Sequence, residues 1–234
     1  MAHKKLIRFA ELDTFSNVLQ FPKNIKGKWH EFFKNDHPIT LELACGKGEY
    51  TVGLARLHAA RNFIGIDIKG NRIWVGAKKA LEENLANAAF LRTEIDRINE
   101  YFDNNEVEEI WITFPDPQLR KSKSKKRLTH PKFLRLYKEF LSADGLIHLK
   151  TDSPDLYHFT KLVIDIYGCK LLVDFADLYA QASLATELNI KTHYESLDIA
   201  GSNRVHYLKF SLPGVLAGRE KDEELKQLLK HEVG

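Results

Sequence analysis

The chain has 234 residues, of which 44% are apolar and 29% charged, and a formal net charge of +3. That size suits one large domain or two small ones, and no apolar run approaches the length of a membrane span, so a soluble, cytosolic protein is the expectation. Two distant cysteines, Cys45 and Cys169, and ten scattered histidines show no ligand spacing, which argues against a disulfide framework or a protein-built metal site.

The opening residues, MAHKKLIRFAELDTF, lack the long apolar stretch of a signal peptide. From residue 39 onward, apolar β-branched runs alternate with helical patterns. ITLELA (39–44) predicts a strand and 49–58 a helix. NFIGID (62–67) predicts a second strand, followed by a helix over 70–84 with Trp74, Ala77 and Leu81 on one face. AAFLRT (88–93) and VEEIWITF (107–114) predict further strands, PKFLRLYKEFL (131–141) a helix and GLIHLKT (145–151) a strand. A helix over 154–167 and late strands at 169–175 and 204–212 complete the pattern, and EKDEELKQLLKHEVG is amphipathic. Strands joined by helical crossovers imply an α/β fold: a single-domain, doubly wound, mostly parallel sheet with helices on both faces. A single domain over 1–234 is expected, with an N-terminal extension (1–38) and a C-terminal helical tail (213–234).

Candidate site residues sit at the carboxyl ends of the predicted strands, where open α/β sheets bind ligands. Gly46 and Gly48, in LELACGKGEY, let the backbone approach a ligand. Asp67 ends the second strand about 20 residues on, where an acid can grip ribose hydroxyls. A dehydrogenase would want a third glycine at position 51, which is Thr. Glu42, inside the first strand, repels a pyrophosphate but suits a cationic ligand head such as that of S-adenosylmethionine; its plainer reading is a solvated strand residue. Glu94 either caps the following helix or accepts from an adenine amino group.

The stretch FPDPQLRKSKSKKRLTHPKF follows the strand ending at 114. Asp116 lies between two prolines, and six of the eight residues from Arg120 to Arg127 are basic. Removing those six turns +3 into −3, so one loop carries the whole positive excess, as a polyanion-steering patch would. A turn acid and a solvated charge run are the plainer alternatives. Asp152 either starts the helix after it or faces a ligand. Thr192, His193, Tyr194 and Glu195 form a polar approach to the last strand, where Tyr194 could stack on a base and Glu195 accept from guanine N–H groups.

Together, LELACGKGEY, FIGIDIK, FPDPQLRKSKSKKRLTHPKFL, HLKTD and THYE resemble the bacterial tRNA (guanine-N7)-methyltransferases, from about Gly27 to Phe210. The resemblance implies a class I, Rossmann-like fold that binds S-adenosyl-L-methionine and methylates N7 of a guanine in the tRNA variable loop. A monomer or homodimer acting on tRNA is expected, with no obligate protein partner evident in the sequence. It implies that Glu42, Asp67, Glu94 and Asp116 contact the cofactor, and that Arg120, Asp152 and Thr192–Glu195 contact the substrate. Asp116 is the candidate catalytic group. Ala44 stands where a glycine is usual, Gln118 where a Trp is usual and Arg120 where a Lys is usual. The alternatives are a methyltransferase acting on protein or a small molecule, and a non-catalytic RNA-binding module on the same scaffold.

Overall fold

The longest uninterrupted apolar runs form the centre of the sheet. In the computed structural model, which describes residues 2–197, 201 and 204–231, strands β2 (Ile39–Leu43) and β3 (Asn62–Asp67) are buried at every position. A strand covered on both faces has no need to alternate polar and apolar side chains, which explains the continuous runs. Around them lie β1 (Val18–Gln20), β4 (Ala88–Arg92), β5 (Val107–Thr113), β6 (Leu141–Thr151), β7 (Lys170–Phe175) and β8 (His206–Ser211). The strand order is β1-β4-β3-β2-β5-β6-β8-β7. Strands β1 to β6 pair in parallel, and β8 runs antiparallel to both β6 and β7.

Helices α3 (Glu49–Leu57), α4 (Gly70–Glu82), α5 (Pro131–Lys138) and α6 (Pro154–Ile166) connect the strands. Alternate residues of each strand feed separate apolar clusters on the two faces: Ala89 and Leu91 go to one, Ala88 and Phe90 to the other. This is the mostly parallel, doubly wound sheet that the alternation of patterns predicts.

Several boundaries differ. Strand β6 starts at Leu141, not 145, and α5 ends at Lys138, because Leu141 already pairs with Val107 across a register shift. On α4, Ala77 is buried as expected, but Leu81 is exposed and Trp74 half-buried, since the buried face runs through Ile73, Gly76, Ala77 and Ala80. The expected extension over 1–38 is built into the core. Helix α1 (Ala2–Leu12) packs on α4, β1 adds to the sheet beside β4, and α2 (Trp29–Phe33) buries Trp29 completely. The Trp29 ring stacks on Phe102 with centroids 5.4 Å apart, and its Nε1 donates to the Tyr101 carbonyl. The tail forms α7 (Glu220–His231), held by buried Leu225 and by Asp222, which accepts from Arg135 at 2.7 Å.

One packing knot fixes the loop after β2. The Phe90 ring fills the space that side chains on Gly48, Gly65 and Gly76 would occupy. A Cβ on Gly76 would lie 2.6 Å from the Lys47 carbonyl and 2.8 Å from Phe90, both held by their surroundings. We expect Gly76→Ala to lower stability by about 2 kcal/mol through overpacking. Urea unfolding measures this, and a midpoint equal to wild type would show that the loop yields freely.

Candidate active site

The carboxyl ends of β2 to β6 define one edge, and nearly every predicted site residue lies on it. The loop leaving β2 turns three times through left-handed backbone, at Ala44 (φ 54°), Gly46 (φ 57°) and Gly48 (φ 69°). Of the three only alanine meets a steric cost there, about 1 kcal/mol, so Ala44 carries strain that the usual glycine would not. Cys45 N–H donates to the Ile66 carbonyl at 3.0 Å, which extends the β2–β3 ladder into the loop. The two predicted cofactor glycines then separate in role. Gly48 faces inward against Phe90, whereas a Cβ on Gly46 would meet only the Tyr194 ring, at 3.4 Å, and its own loop's Ala44 carbonyl at 4.0 Å. Gly46 thus has room for a Cβ in ordinary contact with the Tyr194 ring, whereas Gly48 serves packing.

Asp67 ties this loop to the next. Its Oδ2 accepts from Gly46 N–H at 3.0 Å and its Oδ1 from Lys69 N–H at 2.8 Å. Each oxygen keeps a second lone pair for a ligand.

Glu42 is no solvated strand residue: it is 2% exposed. Its Oε2 accepts from the Thr51 amide at 2.8 Å and the Thr51 hydroxyl at 2.5 Å, and its Oε1 from the Thr113 hydroxyl at 3.0 Å. Thr51 lies in the first turn of α3, so Glu42 satisfies the helix start from the neighbouring strand. Burial dominates those hydrogen bonds and raises its pKa to about 7.

At the end of β5, Phe114 (φ 46°) and Gln118 (φ 49°) bracket the Pro-Asp-Pro turn in left-handed conformations. Asp116 is exposed, and its Oδ1 accepts from Gln118 N–H at 3.0 Å, so one oxygen does serve the turn. The other accepts no hydrogen bond among the described residues. Beyond it the basic stretch is a 3-10 segment, Lys121–Lys126. Arg120, Lys123, Lys125 and Lys126 are exposed and have no acidic partner among the described residues. Arg127 corrects the reading of a uniform basic patch. It is 7% exposed, donates to the Pro117 carbonyl at 3.1 Å and stacks over Phe159 at 4.4 Å. The loop closes at His130, whose Nδ1 caps α5 by accepting from Lys132 N–H. Burial, above all, lowers its pKa to about 4 and keeps the ring a neutral acceptor.

Glu94 is exposed and makes no side-chain cap, and the cap of α6 is Ser153, so neither Glu94 nor Asp152 is explained as a helix starter. Thr192 is buried, and its hydroxyl accepts from Glu195 N–H at 3.1 Å. Tyr194 lies over the β2 loop with the Arg72 guanidinium 5.5 Å from its ring. His193 is exposed, its ring meets Tyr194 edge to face and its carbonyl accepts from the Ser196 hydroxyl, and Arg120 reaches none of the other site residues by a hydrogen bond or ion pair among the described residues. The residue that sequence reading missed is Lys150. It lies on β6 two positions before Asp152, fully buried, with its Nζ 3.1 Å from Glu195 Oε2. Its only sequence signal is a lysine inside an apolar strand.

A protein-family model described as "Putative methyltransferase" matches residues 36–207. The tRNA (guanine-N(7)-)-methyltransferase of Bacteroides fragilis is 44% identical over 97% of this chain and 92% of its own length. That of Christiangramia forsetii is 48% identical over 89% and 97%, and that of Lactococcus lactis subsp. cremoris 35% over 76% and 82%. Among solved structures, the 16S rRNA methyltransferase KamB superposes with a TM-score of 0.59 at 15% identity, covering 78% of this chain and 92% of that one. A SAM-dependent methyltransferase from Aquifex aeolicus gives 0.53 at 12% identity, covering 87% and 98%. At such identities these two show the shared fold.

The raised pKa of Glu42 has a signed consequence for stability. Between pH 4.5 and 7 the folded chain keeps a proton that the unfolded chain has released, so this group's contribution falls by roughly 3 kcal/mol across that window and is flat above it. Glu42→Gln, uncharged throughout, is expected to gain on wild type by that amount from pH 4.5 to 7. Urea midpoints for both proteins at several pH values check this, and parallel curves would remove Glu42 as the titrating group.

Proposed function

The chain belongs to the tRNA (guanine-N7)-methyltransferase family, and from that premise we propose how its residues divide the transfer of a methyl group from S-adenosylmethionine to guanine N7 in tRNA. The near-full-length relatives share one activity, which sets aside a protein or small-molecule substrate and a non-catalytic module.

The residues at the sheet edge fit the cofactor. Gly46, with no side chain of its own and only the Tyr194 ring near it, lets a ligand approach the backbone, and Asp67, already fixed by two amides, offers its remaining lone pairs to a ribose diol. Glu42 is a buried carboxyl group whose ionised form a nearby cation favours. Glu94 and Asp116, both exposed on the same edge, complete the proposed set. Bound there, S-adenosylmethionine supplies an electrophilic methyl carbon on a sulfonium.

Guanine N7 has an in-plane lone pair and needs no deprotonation, so the protein's task is placement and charge. As N7 gains the methyl group, the imidazole ring becomes cationic. Asp116 is the carboxylate we assign to stabilise it, through the oxygen that the turn leaves open. N7 and the N1–H and 2-amino donors lie on different edges of the base. A second carboxylate is therefore needed for the N–H edge, and Glu195 is that acceptor, with Tyr194 positioned to stack. Asp152 and Arg120 extend the substrate side, and Lys123, Lys125 and Lys126 contact the phosphates flanking a variable-loop guanine. The observation that carries this reading is the convergence of Gly46, Asp67, Asp116 and Glu195 on one sheet edge, all from a single chain. That supports a monomer or a homodimer without an obligate partner. A tRNA substrate supports action in the cytoplasm, and no helix among the described residues is long and apolar enough to cross a membrane.

Asp116→Ala is expected to lower 7-methylguanosine formation about 10²- to 10³-fold, with tRNA affinity retained. Nucleoside analysis of tRNA after incubation with S-adenosylmethionine reads this directly, and near-wild-type activity would sink the role of Asp116. Neutralising Lys123, Lys125 and Lys126 together should weaken tRNA binding and reduce the slope of log K against log salt by about 2. An unchanged slope would place the phosphate contacts elsewhere.

A further inference from the structure

Lys150 is the most fully buried cation of the chain's described core, at 0% exposure. Its three N–H donors are shared among four oxygens within 3.2 Å: the carbonyls of Leu188 (3.1 Å) and Ile190 (3.0 Å), Glu195 Oε2 (3.1 Å) and the Tyr179 hydroxyl (3.2 Å). The rings of Tyr50, Phe114 and Tyr179 surround it at 5.5 to 5.8 Å. The Tyr179 hydroxyl in turn donates to Glu195 Oε1. Each oxygen of Glu195 thus has one donor fixed on it, from two different parts of the chain. Burial lowers the Lys150 pKa, so its charge is held against a desolvation penalty. A well-packed apolar side chain would hold β6 in the sheet at least as well. What the lysine adds is a defined position for one carboxylate and for the two carbonyls that lead to it.

We propose that Lys150 and Tyr179 are the positioning pair for guanine recognition, holding the Glu195 carboxylate so that one lone pair on each oxygen is aimed at the two N–H donors of the base. This rests on the reading of Glu195 as the acceptor for those donors. A carboxylate has about four lone-pair sites, so occupying one per oxygen leaves two, a match for the paired N1–H and 2-amino groups of guanine. The Glu195 side chain keeps only 6% of its surface, so a base reaches it from one side. Thr192 fixes the backbone of the same residue by accepting its N–H. Neither Lys150 nor Tyr179 touches the base; both act through Glu195.

The test compares tRNA carrying guanosine or inosine at the target position, since inosine keeps N1–H and lacks the 2-amino group. Wild type should prefer guanosine in kcat/KM by at least about 10-fold, as a site built to pair a donor rejects the analogue without it. Glu195→Gln, Lys150→Met and Tyr179→Phe should each shrink that preference, with affinity for S-adenosylmethionine unchanged. Each double variant with Glu195→Gln should show the preference of Glu195→Gln alone, since the effects run through one group. If Glu195→Gln keeps the wild-type preference, the reading of Glu195 fails and the inference with it. If Glu195→Gln loses it while Tyr179→Phe and a folded Lys150→Met keep it, the inference is overturned and the reading of Glu195 stands. Tyr179 is 41% exposed, so Tyr179→Phe decides the matter should Lys150→Met not fold.

Discussion

The hydrogen bonds from Thr51 and Thr113 to the buried carboxyl group of Glu42 join the start of α3 and the end of β5 to the strand between them. The loops that follow β2, β3 and β5 at the functional edge depend on that junction. The loop from Ala44 to Gly48 spans from β2 to α3, and its course is set by where those two elements end. Asp67 then reads the position of that loop through Gly46 N–H, and Asp116 follows three residues after Thr113. An apolar residue at 42 would leave the first turn of α3 without its acceptor. The acid is tolerated because its partners are hydrogen-bond donors at a helix start, where negative charge is least costly. Its raised pKa is the residual cost of burial.

Much of this was legible in the sequence, for reasons that differ by element. The strands buried on both faces declared themselves by composition, and the edge positions of Gly46, Asp67 and Asp116 followed from a rule about where open sheets bind ligands. Strand β1 did not, because three residues carry no period; Val18–Gln20 is a strand only because Phe90–Arg92 pairs with it. The segment from 176 to 197 is built of short 3-10 turns held by side-chain contacts, so no repeat announced it. Lys150 was hidden for the same reason. Its partners lie 29 to 45 residues away, in that unpatterned stretch.

The basic loop shows a limit of another kind. A run of like charges says nothing about which side chain turns inward. Arg127 resembles its neighbours in sequence, yet its guanidinium supports the turn that presents Asp116, whereas Lys123, Lys125 and Lys126 face solvent. The same guanidinium also reaches Gln118, where the family usually has Trp. Gln118 keeps a left-handed backbone, and its carbonyl faces the Arg127 guanidinium at 3.4 Å.

Strand β8 runs against its neighbours, and that reversal has a consequence for how such a protein can change. Because β7 points toward the functional edge and β8 points back, the chain between Phe175 and His206 leaves and re-enters the sheet at the same end. It is, topologically, the tip of one long hairpin. Lengthening a hairpin tip costs only slowly growing closure entropy and disturbs no crossover. The segment that carries Tyr179 and Glu195 can therefore change in length between its anchor points on Lys150 without disturbing the sheet. On the proposed assignment the cofactor residues belong to the parallel half and the recognition residues to this excursion, so what is recognised can change by editing one loop.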